Sequence, residues 1–240
     1  MILSRTMRQE DYEHLVAEGQ VIIDIQSAIQ MWFDAQHKAR LWEYAMAQKV
    51  MKTHFGDKKG LVIGDHGCGA GYLSPIMYWL GNHVKMYECW VFGNEEKFMM
   101  EQMRRVGLVK AHLGGTYQMI NRPLTQMTDA DRNVDAAFCI STLEHIGEYQ
   151  WAFRDLLSTV KKGGLMFLTT DFAEREKDDY VCANLRAGKM FCERTYMELR
   201  EIGYAQGFQL LGYASDWKWS EECRLVNDYG FASLAMIRSN

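Results

Sequence analysis

From residue 60 onward the sequence alternates short apolar runs with longer amphipathic ones, and this alternation restricts the chain to a small set of architectures. The apolar runs lie at 61–64, 84–87, 117–120, 134–140 and 165–169; the stretches with helical spacing lie at 72–80, 94–106, 149–160 and 195–206. Runs of four to eight apolar residues read as strands, and apolar residues recurring every three or four positions read as helices. Strand and helix in alternation imply right-handed crossovers, with helices on both faces of a mostly parallel sheet. The end of the chain departs from this rhythm. "FQLLGYASDW" (208–217) and "GFASLAMIRS" (230–239) are two strand-like runs with no convincing helix between them, and they are expected to pair antiparallel at one sheet edge. Residues 1–55 carry apolar groups at helical spacing (Tyr12, Leu15 and Val16; Ile29, Trp32 and Phe33; Leu41, Trp42, Ala45, Met46 and Val50), which predicts a helical N-terminal extension or cap.

With 240 residues, 48% of them hydrophobic and 24% charged, the chain can bury a substantial core. Only two prolines occur (Pro75 and Pro123), with no repeat or low-complexity tract, so no linker marks a boundary inside residues 56–240. The formal net charge is −4 and there is no run of five Lys or Arg, so no field that would hold nucleic acid or anionic lipid is evident. The six cysteines form no C-x-x-C pair, and several sit in apolar or Gly-rich segments, which fits reduced thiols and a reducing compartment. The start, "MILSRTMRQEDYEHL", is charged throughout and reads neither as a signal peptide nor as a membrane span; the expected location is the cytoplasm.

The segment "VIGDHGCGAGYLS" (62–74) places Gly64, Gly67, Gly69 and Gly71 at the first strand-to-helix turn. In an open α/β sheet ligands bind beyond the carboxyl ends of the strands, and glycine there allows positive φ, close approach of a ligand to bare backbone, and close packing of the next helix. A tight turn that carries no ligand is the plain alternative. The dinucleotide fingerprint needs a small residue where Tyr72 stands, and no Gly-Lys-Ser/Thr follows for a Walker loop. What fits is an acidic residue closing the strand and then alternating glycines, Asp65-His66-Gly67-Cys68-Gly69-Ala70-Gly71.

That pattern resembles the first motif, D/E-x-G-x-G-x-G, of the class I S-adenosylmethionine-dependent methyltransferases, and the resemblance extends over roughly residues 40–239. It implies an α/β fold, a three-layer Rossmann-like sandwich whose mostly parallel seven-stranded sheet ends in a C-terminal antiparallel hairpin. It also implies S-adenosylmethionine as cosubstrate, with Asp65, His66, Gly67, Cys68, Gly69 and Gly71 passing under its methionine part. Glu88, closing "HVKMYE" twenty-three positions after Asp65, would hold the ribose hydroxyls. "NVDAAFCISTLEHI" (133–146) is similar to the family's fourth-strand motif, in which Asp135 precedes the strand and Ser141 and Thr142 line the cleft. "LLSTVKKGGLMFLTT" (156–170) is similar to its helix, glycine turn and fifth strand. Around the third strand "TYQMINRPLTQM" departs from the family, with Asn121 and Leu124 where many members hold the adenine through an acidic residue.

The implied reaction is methyl transfer to an oxygen or nitrogen of a small-molecule, sugar or lipid-like acceptor, and such nucleophiles need a proton removed. The candidates for that task are His145, Glu144 and Asp171, each with helix capping or packing as the ordinary alternative. The mixed-charge stretch 172–194 is long enough for a lid over the cleft, and Thr195-x-x-Glu198 beyond it matches a capping box. His66, His83, Cys68 and Cys89 lack metal-ligand spacing, so no metal is expected, nor a nucleic-acid partner. Two other readings remain: a non-catalytic S-adenosylmethionine-binding subunit, and a nicotinamide-dependent oxidoreductase on a similar sheet.

Overall fold

The computed structural model describes residues 3–8, 40–69, 72–88, 100, 116–175, 177–182, 185–212, 215–220, 222 and 230–240. The expected helical residues Tyr12 to Phe33, and nearly all of the expected helix at 94–106, lie outside the described residues.

The strands are β1 (Ser4–Arg5), β2 (Val62–His66), β3 (His83–Glu88), β4 (Tyr117–Asn121), β5 (Val134–Ile140), β6 (Val160–Phe172), β7 (Lys177–Cys182), β8 (Leu185–Met190), β9 (Phe208–Leu210), β10 (Ser215–Asp216) and β11 (Gly230–Arg238). The helices are α1 (Leu41–Phe55), α2 (Leu73–Trp79), α3 (Tyr149–Thr159) and α4 (Glu193–Ala205). Seven strands form one sheet in the order β4-β3-β2-β5-β6-β11-β9. β2 to β6 run parallel, and β11 lies antiparallel between β6 and β9. This is the mixed α/β sheet that the alternation predicted. Chain order reverses between β2 and β5, so their carboxyl ends flank the crevice where such sheets take ligands.

Period two sorts the buried strand residues onto two faces. Ala136 and Phe138 of β5 join Phe167, Trp42, Met46, Val50, Ile76 and Met77 under α1 and α2, while Ala137 and Cys139 join Phe153, Leu156, Leu157 and Leu199 under α3 and α4; Val134 shares this second side because the register shifts between it and Ala136. Helix α1 stops at Gly56, whose φ of 63° lets its N–H turn back to Lys52 O at 2.9 Å. No helix among the described residues is long and apolar enough to cross a membrane.

Three local expectations are corrected. Asp135 lies inside β5 rather than before it: its Oδ2 accepts the Val62 N–H at 2.9 Å and its other oxygen pairs with Lys161, so it ties β2 to the flanks of β5. Thr195 and Glu198 form no capping box, because α4 starts earlier, at Glu193 after Cys192; Glu198 instead accepts the Tyr149 hydroxyl at 2.9 Å and the Gln150 amide at 3.2 Å, joining α4 to α3. In the stretch 208–217, β9 ends at Leu210, and Ser215–Asp216 pairs with β1 instead of with β11.

Residues 3–7 are extended where helical spacing was read. β9 ends early, and this N-terminal stretch takes over the outer edge of β11: Ser4 Oγ accepts the Ala235 N–H at 3.0 Å, Ser233 Oγ donates to Leu3 O at 2.9 Å, and Met7 N–H reaches Phe231 O at 2.8 Å. Unpaired sheet-edge groups are thereby satisfied. Ser4→Ala leaves the Ala235 N–H buried without a partner and should lower unfolding free energy by about 1–3 kcal/mol, read from urea denaturation midpoints.

Candidate functional site at the carboxyl ends of the sheet

The turn after β2 is held by backbone alone on one side and by a carboxylate on the other. Gly67 (φ 73°) and Cys68 both donate their N–H to Tyr87 O, at 2.8 and 3.1 Å, and Gly69 (φ 47°) donates to Glu88 Oε2 at 2.7 Å. A Cβ on Gly67 would overlap the Thr142 side chain, whose hydroxyl lies 3.1 Å from Gly67 O and 3.0 Å from Ile140 O. The ends of β2, β3 and β5 therefore meet at this turn. Gly71 lies outside the described residues. Asn121 stands exposed at the end of β4 in register with Glu88, whereas Leu124 is buried in the core beneath α3.

Asp65 and His66, adjacent in β2, have different surroundings. Asp65 accepts the Ser74 hydroxyl at 2.5 Å, and burial, reinforced by the Glu88 charge, pushes its carboxyl up to about 7 against the pull of that bond. The His66 ring is fully buried and stacks coplanar on Tyr87 at 4.4 Å, under Gly64, where a Cβ would come within 2.7 Å of Nε2. Neither ring nitrogen has a hydrogen-bond partner, and burial pushes the imidazole down to about 3. The Cys68 thiol is buried beside them and pushed up by desolvation.

A second group of polar side chains gathers beyond β5 and β6. Glu43, in the first turn of α1, is fully buried; its Oε1 accepts the Ser141 hydroxyl at 2.7 Å and the Thr169 hydroxyl, and its Oε2 accepts Arg40 Nη1 at 3.1 Å. Ser141 adopts φ 43°, a backbone state uncommon outside glycine, in making this contact. Burial works against the Arg40 charge, but Glu43, then Asp171, Tyr44 and Glu144, outweigh it and hold the guanidinium cationic. It lies 5.7 Å over the Phe231 ring.

Glu144 and Asp171 complete the group. Glu144 Oε1 accepts the Asp171 N–H at 3.2 Å, while Glu144 Oε2 and Asp171 Oδ1 are buried with no hydrogen-bond partner. Burial pushes Glu144 up to about 8 and Asp171 up to about 7, the latter also through repulsion from Glu144. His145 is half-buried, pushed down by burial against the opposing charge of Asp171. Thr170 turns the other way, its hydroxyl 2.9 Å from Tyr196 Oη, which donates to Ala232 O at 2.7 Å. The structure thus places Glu144, His145 and Asp171 together and brings Ser141 and Thr142 between them and the glycine turn. Arg40 and Glu43 were not singled out from the sequence; the available signal was one carboxylate inside the apolar run Trp42-Glu43-Tyr44-Ala45-Met46. Among the described residues no group of three His, Cys, Asp or Glu is arranged to hold a metal ion.

The stretch 172–194 leaves the sheet next to this group. β7 and β8 form an antiparallel two-stranded hairpin whose base is fastened by Ala173 N–H to Phe191 O at 2.9 Å and Phe191 N–H to Asp171 O at 3.2 Å.

No protein-family profile and no curated protein matches the sequence. Solved structures match in fold. Magnesium protoporphyrin IX methyltransferase from Synechocystis PCC 6803, with bound S-adenosylhomocysteine, superposes with a TM-score of 0.61 at 20% identity over 90% of this chain and 94% of that one. The 1,6-didemethyltoxoflavin-N1-methyltransferase of Burkholderia thailandensis, with bound 1,6-didemethyltoxoflavin and S-adenosylhomocysteine, gives 0.59 at 15% identity over 98% and 92%. The N-methyltransferase NodS of Bradyrhizobium japonicum WM9 gives 0.56 at 8% identity over 92% and 99%. At such identities the likeness is one of fold.

Because His66 is neutral when buried and has an ordinary value of 6.5 when unfolded, folding loses free energy as pH falls below 6.5, down to about 3. His66→Phe keeps the stack on Tyr87 and removes this dependence. The stability of the variant relative to the parent should rise by about 1.4 kcal/mol per pH unit between pH 6 and 4, measured by chemical denaturation at each pH.

Proposed function

We propose that this chain, which has the fold of the class I S-adenosylmethionine-dependent methyltransferases, transfers a methyl group from S-adenosylmethionine to an oxygen or nitrogen of a small-molecule, sugar or lipid-like acceptor. The observation that carries this reading is the glycine turn closed on Glu88, with the Gly69 N–H 2.7 Å from Glu88 Oε2. The residues fit the cosubstrate. The Cα atoms of Gly67 and Gly69 leave backbone bare, Glu88 brings two acceptor oxygens suited to vicinal hydroxyls, and Asn121 stands one strand further out for the adenine end. Bound there, S-adenosylmethionine would supply a methyl carbon already activated by its sulfonium.

The chain's own residues would then divide the work. Gly67, Cys68 and Gly69 carry the methionine side, and Asp65, through Ser74, fixes the start of α2 against the turn. His66, packed on Tyr87, contributes through its backbone and its bulk rather than through its ring nitrogens. Leu124 packs behind the site. Ser141 and Thr142 position the rim, their hydroxyls engaged by Glu43 and Gly67. Glu144 and Asp171 have carboxyls near neutrality and are the groups best placed to receive a proton from the acceptor, with His145 at the half-buried edge. The β7–β8 hairpin, fastened beside Asp171, and the N-terminal extension that supplies Arg40 and Glu43 would cover the cleft and exclude water. That one chain of this fold binds 1,6-didemethyltoxoflavin and another is a magnesium protoporphyrin IX methyltransferase supports a small-molecule acceptor. A subunit that only bound the cosubstrate would have no use for buried carboxyl oxygens without partners.

Isothermal titration calorimetry with S-adenosylhomocysteine provides the test. Micromolar binding is expected for the parent chain, with binding weakened at least about tenfold (~1.4 kcal/mol) in Glu88→Ala and lost in Gly69→Arg. Binding of NAD in place of S-adenosylhomocysteine would overturn the reading.

A further inference from the structure

We propose that the methyl acceptor is a primary or secondary amine that enters as its ammonium ion and is held by Asp171 and Glu144, beside Glu43 and Arg40. This rests on the methyltransferase reading and narrows its acceptor.

The argument begins with the difference among the three carboxyls. Both Glu43 oxygens are supplied with donors, by Ser141, Thr169 and Arg40, so that carboxylate and that guanidinium satisfy each other. Glu144 Oε2 and Asp171 Oδ1 are out of contact with solvent and have no donor. An uncompensated buried carboxylate costs several kcal/mol, and a protein core normally replaces such groups by apolar ones. Two orphan oxygens from different elements, a short helix at Leu143–His145 and strand β6, are groups that a ligand bringing donors would satisfy.

The chemistry of that ligand follows from charge and donor number. The ionisable groups that act on this pair are Arg40 at the head of α1, Glu43 from α1 and His145 from the short helix, while Tyr196 from α4 is turned to Thr170 and Ala232. With Glu144 and Asp171 ionised and His145 neutral, Arg40, already paired with Glu43, leaves them short of positive charge among the described residues. A carboxylate or phosphate would deepen that shortage. A hydroxyl brings one donor and no charge. An ammonium brings two or three donors and the missing positive charge, one N–H for each orphan oxygen. Without a cation the pair relieves itself by keeping protons, which is the direction that burial pushes both groups, with Glu43 repelling both and Glu144 repelling Asp171.

The same arrangement prepares the nucleophile. One ammonium N–H bond breaks, its proton passes to Asp171 Oδ1 to give the carboxylic acid, and the bonding pair stays on nitrogen as the lone pair that takes the methyl. Glu144 retains a second N–H and holds the nitrogen in place. His145, at the half-buried rim next to Asp171, is the exit for the proton.

The test uses the full chain saturated with S-adenosylhomocysteine and two sets of probes: 2-phenylethylamine, 2-phenylethanol and phenylacetate, and butylamine, butanol and butyrate. Titration calorimetry should show at least one amine binding at least tenfold more tightly than its own alcohol and acid. At pH 7, in buffers of different ionisation enthalpy, that binding should release on the order of one proton. Asp171→Asn and Glu144→Gln should each abolish the preference for amine and the proton release while leaving S-adenosylhomocysteine binding and the melting temperature within error or higher. An alcohol or acid bound as tightly as its amine, no amine bound, or a preference that survives both substitutions overturns the inference and leaves the methyltransferase reading standing. Failure of S-adenosylhomocysteine to bind the parent chain removes both.

Discussion

The closeness of Gly67 to Thr142 is the constraint on which the rest of the site depends. No Cβ can stand between them, so the turn after β2 is pressed against the end of β5 across 75 residues of sequence. The Gly67 N–H reaches Tyr87 O on the other neighbouring strand, and the positive φ of Gly67 turns the chain so that the Cys68 N–H reaches the same oxygen. Three strand ends are thereby joined through main-chain groups with little freedom to shift. Buried backbone donors must find partners, and here the partners are the ends of the strands themselves. The crevice that reversal of strand order opens between β2 and β5 is consequently bordered by the bare backbone of Gly67 and Gly69.

On the other side of the crevice, side-chain electrostatics govern. Burial of an ion pair is tolerated when every lone pair and proton is engaged, and Arg40 with Glu43 meets that condition by drawing on Ser141 and Thr169. The consequence is structural: the start of α1 is fastened to the ends of β5 and β6, and Ser141 is held at a φ that its residue type rarely adopts. Glu144 and Asp171, a few residues away on the same strand ends, fail the condition. Neighbouring carboxyls in one desolvated region, one satisfied and two not, distinguish a clamp from a binding position more clearly than any of them would alone.

The periodic part of the structure was legible in the sequence because periodicity is a local property. Apolar runs marked β2, β3, β4, β5 and β6, and the glycine spacing marked the turn, since both depend on backbone and burial at adjacent positions. The Thr195-x-x-Glu198 pattern misled because Cys192 ends the extended segment three residues before Thr195, and the helix had begun before the motif did. Ser4–Arg5 escaped notice as a strand because two residues carry no period; what holds them extended is the edge of β11, more than two hundred positions along the chain. Glu43 escaped for the same kind of reason. Its partners lie 98 and 126 residues away, and within α1 it looks like an ordinary polar position of a helix.

This division between local and distant information also separates the two halves of the site. Recognition of a common cosubstrate by bare turn and strand-end carboxylate asks for few residue identities, all within one βαβ unit, so a short motif can announce it. The proposed acceptor side is assembled from the head of α1, the short helix after β5, the end of β6 and the base of the β7–β8 hairpin, and no one of these segments carries a recognisable pattern by itself. Its chemistry emerges only when the fold brings Glu43, Glu144 and Asp171 into one desolvated space and leaves two of their oxygens without donors. A chain can therefore declare its cosubstrate through spacing along the sequence while its acceptor is specified by which distant charges the fold forces together and which of them it leaves uncompensated.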